Sequence, residues 1–216
     1  MTEERALIDI SQALRPGLPV WPGDTHVNLE RVSEITPSCP VAVSRLTLST
    51  HSGAHADAPC HYAPNGADIA SVSLFPYVGL AQLFDVSGCG PRRIRFEDLG
   101  GDLASGVKRV LLKTYVQFPH HQWVSDFATP DPSLIVELAQ RGVVLIGVDA
   151  PSLDPESSKN LPAHHAVKAQ GMAILEGLVL DAAPPGLYEL IALPLKIEGA
   201  DAAPVRAVLR PLTEQK

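Results

Sequence analysis

Short apolar runs closed by turn-forming residues dominate the chain and predict strands. Residues 6–10, 80–86, 107–114, 143–148, 172–180, 187–195 and 205–209 each read this way, and residues 27–32 alternate weakly as a further strand. The run at 143–148 is almost wholly apolar, the mark of a strand covered on both faces. Helical signals are fewer. Ser133 fits an N-cap for a helix over 134–141 with Gly142 as its stop, a short helix fits 96–99, and another begins near Pro162. A helix feeding a buried strand is a crossover unit, so the pattern predicts an α/β fold. Residues 116–132 are irregular and aromatic, with His120, His121, Trp123 and Phe127, and a loop of that length suits a lid or a site wall.

Two places break the apolar pattern in a way that carries chemistry. In the run at 43–50, Leu46 and Leu48 alternate with Thr47 and Ser49, and the polar side leads into His51, His55, Asp57 and His61. These four occupy odd positions, so an extended segment would present them on one face. Imidazole and carboxylate without thiolate suit a borderline cation such as Zn²⁺ in a catalytic site more than in a closed structural one. Cys60, at an even position, would point away. The second break is Glu176, a carboxylate inside an apolar strand, which costs several kcal/mol unless it is paired or coordinated. His164, near the start of the third helix, is a further ligand candidate. Trp21 lies on a Pro- and Gly-shaped turn, where both core packing and stacking on an aromatic substrate fit. Asp149, after the buried strand, fits either a turn cap or a carboxylate behind the metal ligands. The adjacent His120 and His121 lack an i+4 partner and read as solvated or as a substrate wall.

Composition narrows the classes. The 216 residues are 45% hydrophobic and 19% charged, which suits one globular domain over 1–216. The net charge of −7, without a basic run, argues against nucleic acid or an anionic membrane surface as partner. No stretch approaches the ~18 apolar residues of a membrane span, and the polar opening offers no leader, so a cytoplasmic location is expected. Cys39, Cys60 and Cys89 lack CxxC spacing and read as reduced thiols. No G-x-S-x-G element supports serine catalysis.

With Val20-Trp21-Pro22-Gly23-Asp24, the His51-to-His61 element, Val148-Asp149-Ala150-Pro151-Ser152, Pro162-Ala163-His164-His165 and Ile174-Leu175-Glu176-Gly177 in this order, the sequence resembles the cyclase-like metallohydrolases, and among them the kynurenine formamidase branch. The resemblance implies a mixed sheet of the swivelling β/β/α type, a homodimer and two Zn²⁺ per subunit. His51, His55 and Asp57 would hold one ion, and Asp57 would bridge to a second held by His164 and Glu176, with Glu176 a possible second bridge. His61 would be the acid/base, with a further metal ligand as the alternative, and Trp21 would contact substrate. The implied reaction is hydrolysis of N-formyl-L-kynurenine to L-kynurenine and formate in tryptophan degradation. Hydrolysis of isatin or another aryl or cyclic amide is the rival within the family, and a non-catalytic metal-binding module is the rival from another class. Ala54 stands where Thr is common in the family, and Cys60 is unusual; both bear on pocket polarity.

Overall fold

The computed structural model describes residues 6–212. The polar opening at residues 1–5, which the leaderless reading uses, lies outside them. A nine-stranded mixed sheet runs in the order β1 (Ile8–Asp9), β13 (Val208–Pro211), β11 (Gly186–Ile191), β5 (Val78–Asp85), β7 (Arg109–Lys113), β9 (Leu145–Val148), β10 (Ala173–Glu176), β4 (His55–Asp57) and β12 (Ala202–Pro204). The central four, β5, β7, β9 and β10, are parallel, and the flanking strands are antiparallel. Among the described residues, strands β2 (Asn28–Ser33) and β3 (Val43–Thr47) pair only with each other, and β6 (Arg93–Ile94) pairs with β8 (Thr129–Pro130).

Parallel neighbours need crossovers, and helices α2 (Pro132–Gln140) and α3 (Pro162–Gln170) supply them before β9 and β10. The expected N-cap moves by two residues. Asp131 caps α2, accepting the Ser133 N–H at 2.9 Å, and Pro132 takes the first helical position, where its missing N–H costs nothing. Gly142 follows the helix at φ 84°, as its role as a stop requires.

Strand alternation separates two cores. Val110, Leu112, Ile146, Val148 and Ile174 pack with Leu134, Leu138 and Val167 of the helices, whereas Leu111, Leu145 and Leu175 join Tyr77, Leu83 and Leu190 in the other cluster. Every one of these side chains is buried, so the central strands are covered on both faces as their apolar runs predict.

Several expected strands are shorter or divided. The run at 172–180 yields β10, which ends at Glu176, because Gly177 turns at φ 64°. The run at 187–195 becomes β11, ending at Ile191. The expected strand at 205–209 is replaced by β12 and β13. Ala202 and Ala203, between the two expected runs, pair with Asp57 and Ala56 as an edge strand. Backbone pairing offered by β4 outweighs the weak strand propensity of alanine there.

Candidate active site

The segment from 43 to 61 is not one extended strand. β3 stops at Thr47, and residues 48–54 form a folded loop. Gly53 turns at φ 66°, where an added Cβ would stand 2.9 Å from the Leu14 side chain. Only His55 to Asp57 is strand, and Pro59 then opens the four-residue helix α1 (Pro59–Tyr62), carrying His61. The shared face of the odd positions therefore holds for His55 and Asp57 alone. His51 reaches the same point from the loop, and His61 from the helical turn.

Register brings in the acid. In the antiparallel pairing of β10 with β4, Glu176 lies opposite His55 and Ile174 opposite Asp57. Ile174 belongs to the helix-side core and Ala56 to the other, so His55, Asp57 and Glu176 project toward α3, the third residue of which is His164. The cluster thus forms beyond the carboxyl ends of parallel β9 and β10, where sites in open α/β sheets gather.

Asp57 Oδ1 stands 3.1 Å from His51 Nδ1 and 3.4 Å from His55 Nε2; Asp57 Oδ2 stands 3.5 Å from His164 Nε2. Glu176 divides likewise, with Oε2 3.4 Å from His55 Nε2 and Oε1 3.4 Å from His164 Nε2. Two ligands on one tetrahedral zinc at ~2.0–2.1 Å would stand about 3.4 Å apart, a distance these spacings match. His55 Nε2 and both Asp57 oxygens are buried without a hydrogen-bond partner, a costly arrangement unless an ion takes them up. The donor set fits a metal. Each carboxylate directs one oxygen to the His51–His55 side and the other to the His164 side.

The other ring nitrogens are held from behind. His55 Nδ1 lies 2.9 Å from the Gly53 carbonyl, His164 Nδ1 2.8 Å from Asp154 Oδ2, and His51 Nε2 3.2 Å from Asp201 Oδ2. Each ring can thus donate an N–H backward and direct its lone pair into the cluster, which fixes tautomer and orientation. Asp154 is buried and also accepts the Ala163 and His164 backbone N–H groups, clamping the start of α3. Neither Asp154 nor Asp201 carries a motif signal. Their roles follow from tertiary pairing, β12 against β4 for Asp201 and α3 against the 149–154 loop for Asp154.

Burial disfavours the charged form of His55, yet the Asp57 and Glu176 carboxylates beside it outweigh burial and raise its pKa to about 10. For His164 burial is again opposed, by Asp154, Asp57 and Glu176, and the value rises to about 12. Asp57 moves the other way. Burial pushes it up, but His164, His51 and His55 hold it well below the usual carboxylate range. In the metal-free protein the cluster is a web of ion pairs whose protons a metal would displace.

A cavity of about 480 Å³ opens over this floor, with His51, His55, His164 and Glu176 at its base and Trp21, Phe118 and Trp123 on its walls. Trp21 and Trp123 meet edge to face at 5.4 Å, and the Trp123 Nε1–H donates to Glu156 at 2.7 Å. The aromatic loop is a wall as expected, although His120 and His121 sit outside on the exposed side, with His121 Nδ1 2.9 Å from Arg15. Cys60 turns from the cluster toward the Ala200 carbonyl. His61 lies at the rim, its ring 4.3 Å from that of His51 and 6.1 Å from that of His164. Asp149 borders the cavity, but its oxygens accept the Thr114 hydroxyl and the Thr114 and Tyr115 N–H groups. It ties β9 to the end of β7.

This fold and this cluster define a metal-dependent hydrolase, and the chain belongs to the cyclase family, whose profile, described as "Putative cyclase", matches residues 8–155. A kynurenine formamidase of Maricaulis maris (strain MCS10) is 59% identical over 204 residues, covering 94% of this chain and 97% of that protein. A solved "Potential Metal-Dependent Hydrolase With Cyclase Activity" superposes with a TM-score of 0.80 at 28% identity, over 95% of this chain and 98% of that one. An isatin hydrolase bound to thioisatinate shares the fold, with a TM-score of 0.78 at 23% identity over 95% of this chain and 92% of that one.

Proposed function

We propose that the chain hydrolyses N-formyl-L-kynurenine to L-kynurenine and formate, using two zinc ions per subunit. The observation that carries this reading is the set of buried, unpartnered atoms on His55 and Asp57, at co-ligand spacing from His51, His164 and Glu176, beneath an aromatic-walled cavity. The 59% identity to a kynurenine formamidase supports the substrate. His51, His55, Asp57 and Glu176 would hold one ion, and Asp57, Glu176 and His164 the other. When bound, the ions supply Lewis acidity, bringing the pKa of water from ~15.7 toward about 7 and polarising a carbonyl oxygen. His61 accepts the proton of the attacking water and delivers it to the arylamine nitrogen as the C–N bond breaks. Trp21, held edge to face by Trp123, offers its ring to the aryl group of the substrate.

The cytoplasm is the compartment of this reading, and the free Cys39, Cys60 and Cys89 fit its reducing conditions. Among the described residues no helix is long and apolar enough to cross a membrane. The assembly is a homodimer. Support comes from the β2–β3 hairpin, which among the described residues pairs with no other strand and exposes Leu29, Val32, Val43 and Leu46.

The test combines metal analysis of the purified protein with formate release from N-formyl-L-kynurenine, run beside isatin. Close to two zinc equivalents per chain, chelator-sensitive formate release and weaker turnover of isatin are expected. Faster isatin opening would transfer the assignment to the cyclic amide. A metal-loaded protein that turns over neither compound would return it to a binding module.

A further inference from the structure

Asp201 touches two of the imidazoles at once. Its Oδ2 lies 3.2 Å from Nε2 of His51 and 3.4 Å from Nδ1 of His61, and its Oδ1 accepts the Thr50 hydroxyl at 2.8 Å. The backbone around it is fixed to the strand that carries the cluster. The Ala58 N–H donates to the Asp201 carbonyl at 2.8 Å, and the next residue, Ala202, pairs with Asp57. A side chain so anchored has little freedom to follow either ring, so the rings must conform to it.

We propose that Asp201 is a positioning residue for the hydrolysis, one carboxylate that sets the ring orientation and tautomer of both His51 and His61. This rests on the roles given to those two histidines above. An ionised carboxylate only accepts, so each ring must turn an N–H toward it. For His51 the proton then sits on Nε2, and the Nδ1 lone pair faces the cluster, where Asp57 Oδ1 is 3.1 Å away. For His61 the proton sits on Nδ1, and Nε2 is left as the free base. The two rings are 4.3 Å apart, so without this shared acceptor either could rotate into the space of the other. A partner of this kind behind a metal-binding imidazole is typically worth 10–100-fold in metal affinity or activity.

The experiment uses Asp201→Ala and Asp201→Asn, each in the wild-type and the His61→Ala background. Zinc affinity is read by competition with a chromophoric chelator, and kcat and KM at saturating zinc. Asp201→Ala should bind zinc 10–100-fold more weakly and, once loaded, lose about 10-fold or more in kcat with little change in KM. In the His61→Ala background it should weaken zinc equally and lower kcat no further, because the ring it orients is gone. Asp201→Asn can present its amide oxygen to both rings and its NH₂ to Thr50, so it should recover part of both losses, and it serves if the alanine variant fails to fold. Unchanged zinc affinity, or a full additional kcat loss on top of His61→Ala, would overturn the proposal. So would a third zinc per chain that disappears with Asp201→Ala, since the carboxylate would then be a ligand. If His61→Ala alone were fully active, the acid/base reading would fail, while the zinc measurement would still judge the hold of Asp201 on His51.

Discussion

At the scale of single residues, the cluster sets protons and metal in competition for the same nitrogens. His55 and His164 have pKa values raised to about 10 and about 12 in the metal-free protein, whereas an unfolded histidine titrates near ~6.5. The stability these ion pairs give the metal-free fold is fully present below about pH 6.5 and is lost as the pH rises through the range 10–12. A metal needs both rings neutral, so near pH 7 its binding must expel protons, and its affinity must climb with pH. Titration calorimetry of the metal-free protein with zinc at pH 7, in two buffers of different ionisation enthalpy, should show net proton release. Equal heats in both buffers would contradict it. Mutants separate ligand from acid/base. His61→Ala should keep its zinc while kcat falls about 10²–10⁴-fold, whereas His51→Ala should lose zinc and activity together. If the two variants lost metal equally, His61 would be a ligand. The members of the cluster were readable in sequence because a buried acid in an apolar strand and four potential ligands in eleven residues are local anomalies. Asp154 and Asp201 were not. An isolated aspartate beside a turn is ordinary, and only the folded chain brings each behind a histidine.

At the scale of elements, the site depends on how closely two glycine turns approach each other. Gly177, directly after Glu176, turns at φ 64°, and a Cβ there would stand 2.5 Å from the Gly53 carbonyl, the same carbonyl that faces His55 Nδ1. The two turns thus set the distance between the β10 acid and the loop bearing His51. Gly177→Ala must relieve both the left-handed strain and that backbone collision, at about 2 kcal/mol or more. We expect a lower Tm by calorimetry together with weaker zinc binding; an unchanged Tm with full zinc occupancy would show that the turns tolerate separation. The period-two reading of residues 51–61 succeeded where the backbone is strand, at His55 and Asp57, and failed on either side. Gly53 and Pro59 are the reasons, since one admits a left-handed turn and the other favours the first position of a helix. β12 was missed because Ala202–Pro204 has no side-chain signal, its pairing being supplied by backbone groups of β4.

At the scale of the molecule, the β2–β3 hairpin stands apart from the nine-stranded sheet, and among the described residues its strands pair with no others. A lone two-stranded ribbon is marginal in water and needs a covering surface. Its register sets Leu29 opposite Leu46, with 52% and 48% of each exposed, while Glu30 and Arg45, on the other face, form an ion pair. Leu29 and Leu46 thus form an exposed apolar pair on one face, beside Arg31 and Ser44, and the homodimer proposed above would cover it. The hairpin also joins the loop of Trp21 to the loop of His51, so whatever steadies it steadies a wall and one imidazole of the site. Leu46→Asp places a charge in the middle of that face without touching either core, and burying it unpaired would cost several kcal/mol. Sedimentation or light scattering should find the wild type dimeric and the variant shifted to monomer. Because the loops it braces would loosen, KM for the formamide should rise while zinc content at saturating metal stays near the wild-type value. A variant that remains a dimer with unchanged kinetics would assign the interface to another face and leave the hairpin as an exposed arm.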